Sequence, residues 1–128
     1  MIKWLLNVEI LRWKVDTMVG YEKYKLIVNS KVIKCFEFEI RNIIEHDYEF
    51  IVLLKIPFDN VSEKNNIFSI GASGNVVWTI NNSGYSNNSY PFEQMTLRDG
   101  WLYTTDFYAR RLKVDIKMGK IVDMAILK

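Results

Sequence analysis

The chain of 128 residues has one cysteine and one histidine, and these two shortages exclude more than any motif includes. Cys35 alone cannot close an internal disulfide, and a single thiol fits a reducing compartment. With His46 as the only imidazole, a zinc shell would be almost wholly carboxylate, which is uncommon, so no metal and no cofactor are expected. No Gly-x-x-x-x-Gly-Lys-Ser/Thr, Gly-x-Gly-x-x-Gly or Gly-x-Ser-x-Gly phrase occurs, so the sequence lacks a phosphate-cradling loop and a nucleophile elbow. No stretch approaches the ~18 uninterrupted apolar residues of a membrane helix. Met1 to Leu11 starts like a signal peptide, but Asn7 and Glu9 interrupt the apolar run and no small-residue cleavage site follows. A soluble, cytoplasmic protein is the expectation. The net charge of +2 gives no global field of the kind that marks nucleic-acid-binding domains.

What is present is apolar alternation, the mark of half-buried strands, in a chain sized for one domain, 1–128. Tyr24, Leu26 and Val28 alternate with Lys23, Lys25 and Ile27, and after Asn29-Ser30-Lys31 the pattern resumes with Phe36 and Phe38 against Glu37 and Glu39. A two-residue Asn-Ser loop sets Tyr24 opposite Cys35. A three-residue loop with a bulge pairs Tyr24 with Phe36 and Lys23 with Glu37, matching both apolar and charged partners, and is the preferred register. Glu49 to Ile56, apolar without a break from Phe50 to Leu54, stops at Pro57, which predicts a central strand covered on both faces. Val76, Trp78 and Ile80 form the expected inward face of the next strand, after a Ser73-Gly74 turn. Asp99-Gly100 makes a hairpin. Leu112, Val114 and Ile116 then point in, with Arg111, Lys113 and Asp115 out, and Gly119 closes the last hairpin. Ile40 to His46 has room for one helical turn. Near the N-terminus, Trp4, Leu5, Val8 and Leu11 fit a helix stripe, whereas Val8, Ile10 and Arg12 fit a strand, and the β-branched and aromatic flank Trp13-Lys-Val15 tips the reading toward strand. No internal repeat or linker is legible. The expected fold is all-β, with room for one short helix: a mostly antiparallel meander of hairpins forming a small sandwich or blade-like sheets.

Enzymatic candidates are thin. His46 sits in Ile44-Glu-His-Asp-Tyr48, where a polar turn is the simple reading. Asp99 and Asp106 flank a strand rich in Thr and Tyr, a placement that suits paired carboxylates but equally suits a turn and a solvent-facing strand position. No catalytic residue is assigned, and the chain is read as something other than an enzyme. Two features suit binding. The Asn81 to Phe92 connection, with Tyr85, Tyr90 and Phe92, has the Tyr, Ser, Gly and Asn composition of antibody binding loops. In Tyr103 and the Phe107 to Lys113 segment, aromatics interleave with Arg110 and Arg111 beside Tyr108, a pattern that stacks bases and neutralises phosphates or holds an acidic partner.

Gly74-Asn-Val-Val-Trp78, a strand opening with Gly100-Trp-Leu-Tyr103, and Val114-Asp-Ile-Lys-Met-Gly-Lys-Ile121 together resemble the repeat of quinoprotein-type β-propeller blades. In that repeat a Gly-x-x-x-Trp hairpin precedes an Asp-x-x-x-Gly-Lys turn. One such unit is legible, over roughly Phe50 to Lys128, and closure of a propeller takes about four to eight blades, so quinoprotein cofactor chemistry does not carry over. The closer resemblance is to small bacterial proteins with a single such C-terminal unit, some of which look like immunity partners of secreted toxins. It implies a cytosolic interaction protein, an immunity-type inhibitor of one protein partner such as a toxin domain, with Trp78 as the blade tryptophan in the core. The alternative is a single-stranded nucleic-acid or glycan-binding β domain using Tyr103, Tyr108, Arg110 and Arg111. The slight positive charge favours capture of an acidic or neutral surface over blockade of a cationic nuclease cleft.

Overall fold

In a computed structural model, residues 18–57, 65–80, 91–106 and 109–126 are described. They form eleven strands in three sheets, each a meander in which neighbours in sequence are neighbours in space. The first sheet holds β1 (Val19–Glu22), β2 (Lys25–Val28) and β3 (Lys31–Cys35). The second holds β4 (Ile40–His46), β5 (Glu49–Leu54), β6 (Ile67–Gly71) and β7 (Val76–Thr79). The third holds β8 (Phe92–Arg98), β9 (Trp101–Asp106), β10 (Arg110–Asp115) and β11 (Lys120–Ile126). All pairings are antiparallel. Among the described residues there is no helix. Ile40 to His46, where a helical turn had room, is instead strand β4, because β-branched Ile40, Ile43 and Ile44 pair across to β5 from Leu54 down to Glu49.

Tight turns set the registers. Asn29–Ser30 (φ 52° and 66°), Asp47–Tyr48 (53° and 66°) and Asp99–Gly100 (54° and 80°) each have two successive residues at positive φ. That geometry matches the right-handed twist of the flanking strands. The β2–β3 hairpin combines the two registers that the sequence offers. Its turn is the two-residue Asn29–Ser30 loop, yet Lys25 lies opposite Cys35 and Phe36 donates its backbone N–H to the Tyr24 carbonyl at 2.9 Å. Both hold because the extra residue is Ile33, a bulge inside β3. The same device recurs at Val77 in β7 and Val122 in β11. A bulge inverts the side-chain alternation on one side of it. This is why Val76 is exposed although Trp78 and Ile80, its expected companions on the inward face, are buried.

The second sheet is the middle layer. Phe50, Val52 and Leu54 of β5 pack with Leu26 of the first sheet and with Ile40 and Ile70. Ile51 and Leu53 pack the other way, against Leu102, Leu112, Val114 and Ile121 of the third. The apolar run Phe50 to Leu54 of β5 is thus covered on both faces, as its sequence predicts. The backbones of adjacent sheets come nearest where β1 meets β4 and where β4 and β5 meet β8. Among the described residues the result is a stack of blade-like meanders with no closed barrel.

Specific joints fix the stack. Trp78 lays its indole on Gly119 (φ 71°) and donates Nε1–H to the Ile116 carbonyl at 2.9 Å. A Cβ at residue 119 would overlap the ring, so the glycine both permits the turn and admits the indole. One layer earlier, Gly74 (φ 91°) receives the backbone of the bulged Ile33 in the same way. A single step along the sequence carries Ile33 to Trp78 and Gly74 to Gly119, so a chain with no legible repeat repeats in its joints. Buried Asn66 adds a polar tie: its Nδ2 donates to the carbonyls of Leu54 (2.7 Å) and Phe92 (2.9 Å), and its Oδ1 accepts the Phe92 N–H (2.9 Å).

Candidate functional site: the outer face of the third sheet

Stacking consumes one face of the third sheet and leaves the other to its own side chains. Along β9, Leu102, Thr104 and Asp106 are buried while Trp101, Tyr103 and Thr105 are half-buried on the opposite face. The Asp99–Gly100 turn places Arg98 opposite Trp101, and the ladders then set Thr96 and Lys113 on either side of Tyr103 and Arg111 beside Thr105. Because β8 and β10 flank β9, Tyr103 stands between a guanidinium from each. The Arg98 and Arg111 Cζ atoms lie 5.0 and 5.6 Å from its ring centroid, and Lys113 Nζ lies 4.3 Å from that of Trp101. The negative faces of the rings attract these cations, and each held side chain has less rotamer freedom left to lose when a ligand arrives. Asp123, paired with Lys113 across the ladder, adds one acid at the β11 side. The hollow between these groups has a volume of about 220 Å³, below the ~300–1,000 Å³ of pockets that enclose small molecules.

Of the residues expected to bind, Tyr103 and Arg111 meet on this face. Arg110 does not: it turns back so that its Nε donates to the buried Asp106 Oδ2 at 2.7 Å, while its backbone N–H donates to Asp106 Oδ1 at 3.1 Å. Neighbours in a strand point to opposite faces, so Arg110 closes the β9–β10 connection and leaves the outer face to Arg111. Asp106 is correspondingly a buried ion-pair partner, not a solvent-facing position. Phe92 is also corrected: at 4% exposure it starts β8 on the inward side, in the same cluster as Met95. Tyr85, Tyr90 and Tyr108 lie outside the described residues. His46 ends β4 beside the Asp47–Tyr48 turn, and Cys35 ends β3 with its thiol exposed. Among the described residues no three His, Cys, Asp or Glu side chains gather as metal ligands would, and no helix is long and apolar enough to cross a membrane. Sequence reasoning missed Arg98 and Trp101 as members of the site. The signal was present: the Asp99-Gly100 turn pairs them, and counting outward from Leu102 puts Trp101 with Tyr103.

The profile of a family described as a domain of unknown function, DUF7957, matches residues 16–126. The chain belongs to this family. No curated protein matches it. Among solved structures, a crystal structure of the computationally designed protein Ika8 is similar, with a TM-score of 0.54 at 7% identity over 84% of this chain. The chain spans 35% of that protein's length, and the likeness is one of fold.

Proposed function

We propose that this member of the DUF7957 family is a cytoplasmic protein-interaction module, an immunity-type inhibitor that binds one protein partner, and that it binds through the outer face of the third sheet. The observation that carries this reading is the row of cations on β8 and β10 held against Tyr103 and Trp101. Aromatic and arginine side chains supply most of the energy at protein interfaces when they are rigid and central, and here both kinds are pre-positioned by the ladder. The role is binding, with no catalytic group assigned. Single-stranded nucleic acid is the second reading, since it too uses aromatics among cations. Base stacking, however, needs open ring faces, and here the protein's own cations compete for them.

A photo-crosslinking residue at Thr105 tests this in cells that make the protein naturally, with the same residue at the exposed Lys25 of the first sheet as control. The expected result is one discrete protein adduct from position 105 that is reduced by Arg111→Ala, and none from position 25. Adducts from position 25 alone, or adducts to nucleic acid, refute the assignment.

A further inference from the structure

We infer that what docks on this face is an extended acidic segment of the partner with carboxylates on alternate residues, lying along β10 over Arg111 and Lys113. This rests on the reading of the third sheet's outer face as the docking surface and names the chemistry recognised there. Arg111 and Lys113 are two residues apart on one strand face, so they repeat at about 6.6–6.8 Å. Alternate side chains of an extended peptide repeat at the same distance, which lets positions i and i+2 of such a segment meet both cations at once. Arg98, two strands over, is in reach of a third carboxylate.

The chemistry of the cations points the same way. A cation–π contact engages a guanidinium without consuming its five N–H donors. Among the described residues neither Arg98 nor Arg111 spends those donors on a hydrogen bond or ion pair. Fixed guanidinium forks with unspent donors match carboxylates bidentately. Asp123 sets the limit on the other side: it pairs with Lys113 across the ladder and its Oδ1 accepts the Met124 N–H at 2.8 Å. A uniformly charged polyanion crossing toward β11 meets this acid, whereas a segment confined to β10 does not.

Fluorescence anisotropy with four labelled probes tests the inference on the full chain. They are a decapeptide alternating Glu and Ser, an isomer with all its Glu residues contiguous, a Gln-for-Glu analogue, and single-stranded deca-thymidylate. At about 0.15 M salt, where long-range attraction is screened, the alternating peptide is expected to bind about tenfold tighter than the Gln analogue, the product of two or three exposed pairs. It should also bind severalfold tighter than the contiguous isomer. Arg111→Gln and Tyr103→Leu should each weaken it about three- to fivefold, the second by releasing two guanidiniums without changing charge. Lys31→Ala in the first sheet, with the same charge change as Arg111→Gln, should leave it within about twofold, and Asp123→Asn should tighten deca-thymidylate more than the alternating peptide. Where Tyr103→Leu proves unfolded by circular dichroism, Arg98→Gln replaces it. Equal binding of the Glu and Gln peptides, tighter binding of deca-thymidylate than of the alternating peptide, or equal losses from Lys31→Ala and Arg111→Gln overturns the inference. If the position-105 crosslink persists while the acidic peptide fails, only the ligand chemistry is wrong; if both fail, the docking face falls with it.

Discussion

Trp78 and Gly119 form one joint, and a double-mutant cycle across them measures it. Trp78 is 7% exposed and its indole N–H satisfies the buried Ile116 carbonyl. Trp78→Ala should therefore cost about 3–5 kcal/mol for the lost packing, with the orphaned carbonyl pushing the value toward the top of that range. Gly119→Ala carries two penalties. At φ 71° an L-residue pays about 1 kcal/mol, and the new methyl strikes the indole, adding about 1–3 kcal/mol of overpacking. Once the indole is gone only the backbone penalty remains, so in the Trp78→Ala background Gly119→Ala should cost about 1 kcal/mol. The cycle then reports a coupling of about 1–3 kcal/mol, the size expected for directly contacting residues. Urea unfolding followed by far-ultraviolet circular dichroism is the assay, because four tryptophans would mix signals in fluorescence. Trp78→Leu serves as the background where the alanine variant is too unstable to give a native baseline. If Gly119→Ala costs the same with and without the indole, to within about 0.5 kcal/mol, the two residues do not form the joint described.

Glycine turns and β5 were legible because each rests on a local rule. Positive φ is cheap only for a few residue types, and a strand with two covered faces has no polar side to alternate. Bulges have no such signature. Nothing in the residue types at Ile33, Val77 and Val122 separates them from ladder positions, and each shifts the alternation beside it, which misplaced Val76 as an inward residue. The structural repeat was hidden for a related reason: what recurs is the place of a bulge and a joint. The step that leads from Ile33 to Trp78 leads on to Asp123, and the first hairpin turns on Asn29–Ser30 where the later ones carry Gly74 and Gly119. At the candidate site, alternation put Arg111 outward, and Tyr103 followed from the interleaving of aromatics with arginines. Arg110 was grouped with them by sequence adjacency, although a period of two puts consecutive residues on opposite faces. Phe92 was grouped with the preceding connection by the same adjacency, although it opens β8 and is buried.

Gly74→Ala should destabilise the chain by about 2–4 kcal/mol, seen as a lower urea midpoint, because its φ is 91° and a Cβ there meets the Ile33 backbone, which cannot rotate away; an unchanged midpoint refutes the first joint. Asn66→Ala removes three buried hydrogen bonds and should cost about 2–4 kcal/mol in the same assay. In Asn66→Asp the carboxylate would face the carbonyls of Leu54 and Phe92, which raises its folded-state pKa. That variant should hold its stability in acid, below the unfolded carboxyl value, and lose it as pH rises through the folded one; a midpoint that does not depend on pH beyond the parent's refutes this. The last prediction sets Arg110 against Arg111. Arg110→Ala removes the Nε donor from a carboxylate whose side chain is 1% exposed, so it should cost about 2–4 kcal/mol of stability. Arg111→Ala removes an outward cation held against the Tyr103 ring, so stability should stay within about 1 kcal/mol while binding of the alternating acidic peptide falls. Urea midpoints and anisotropy on the same two preparations separate the effects once both are measured where each variant is fully folded. Loss of binding in Arg110→Ala with full stability would place the binding face on the wrong side of β10.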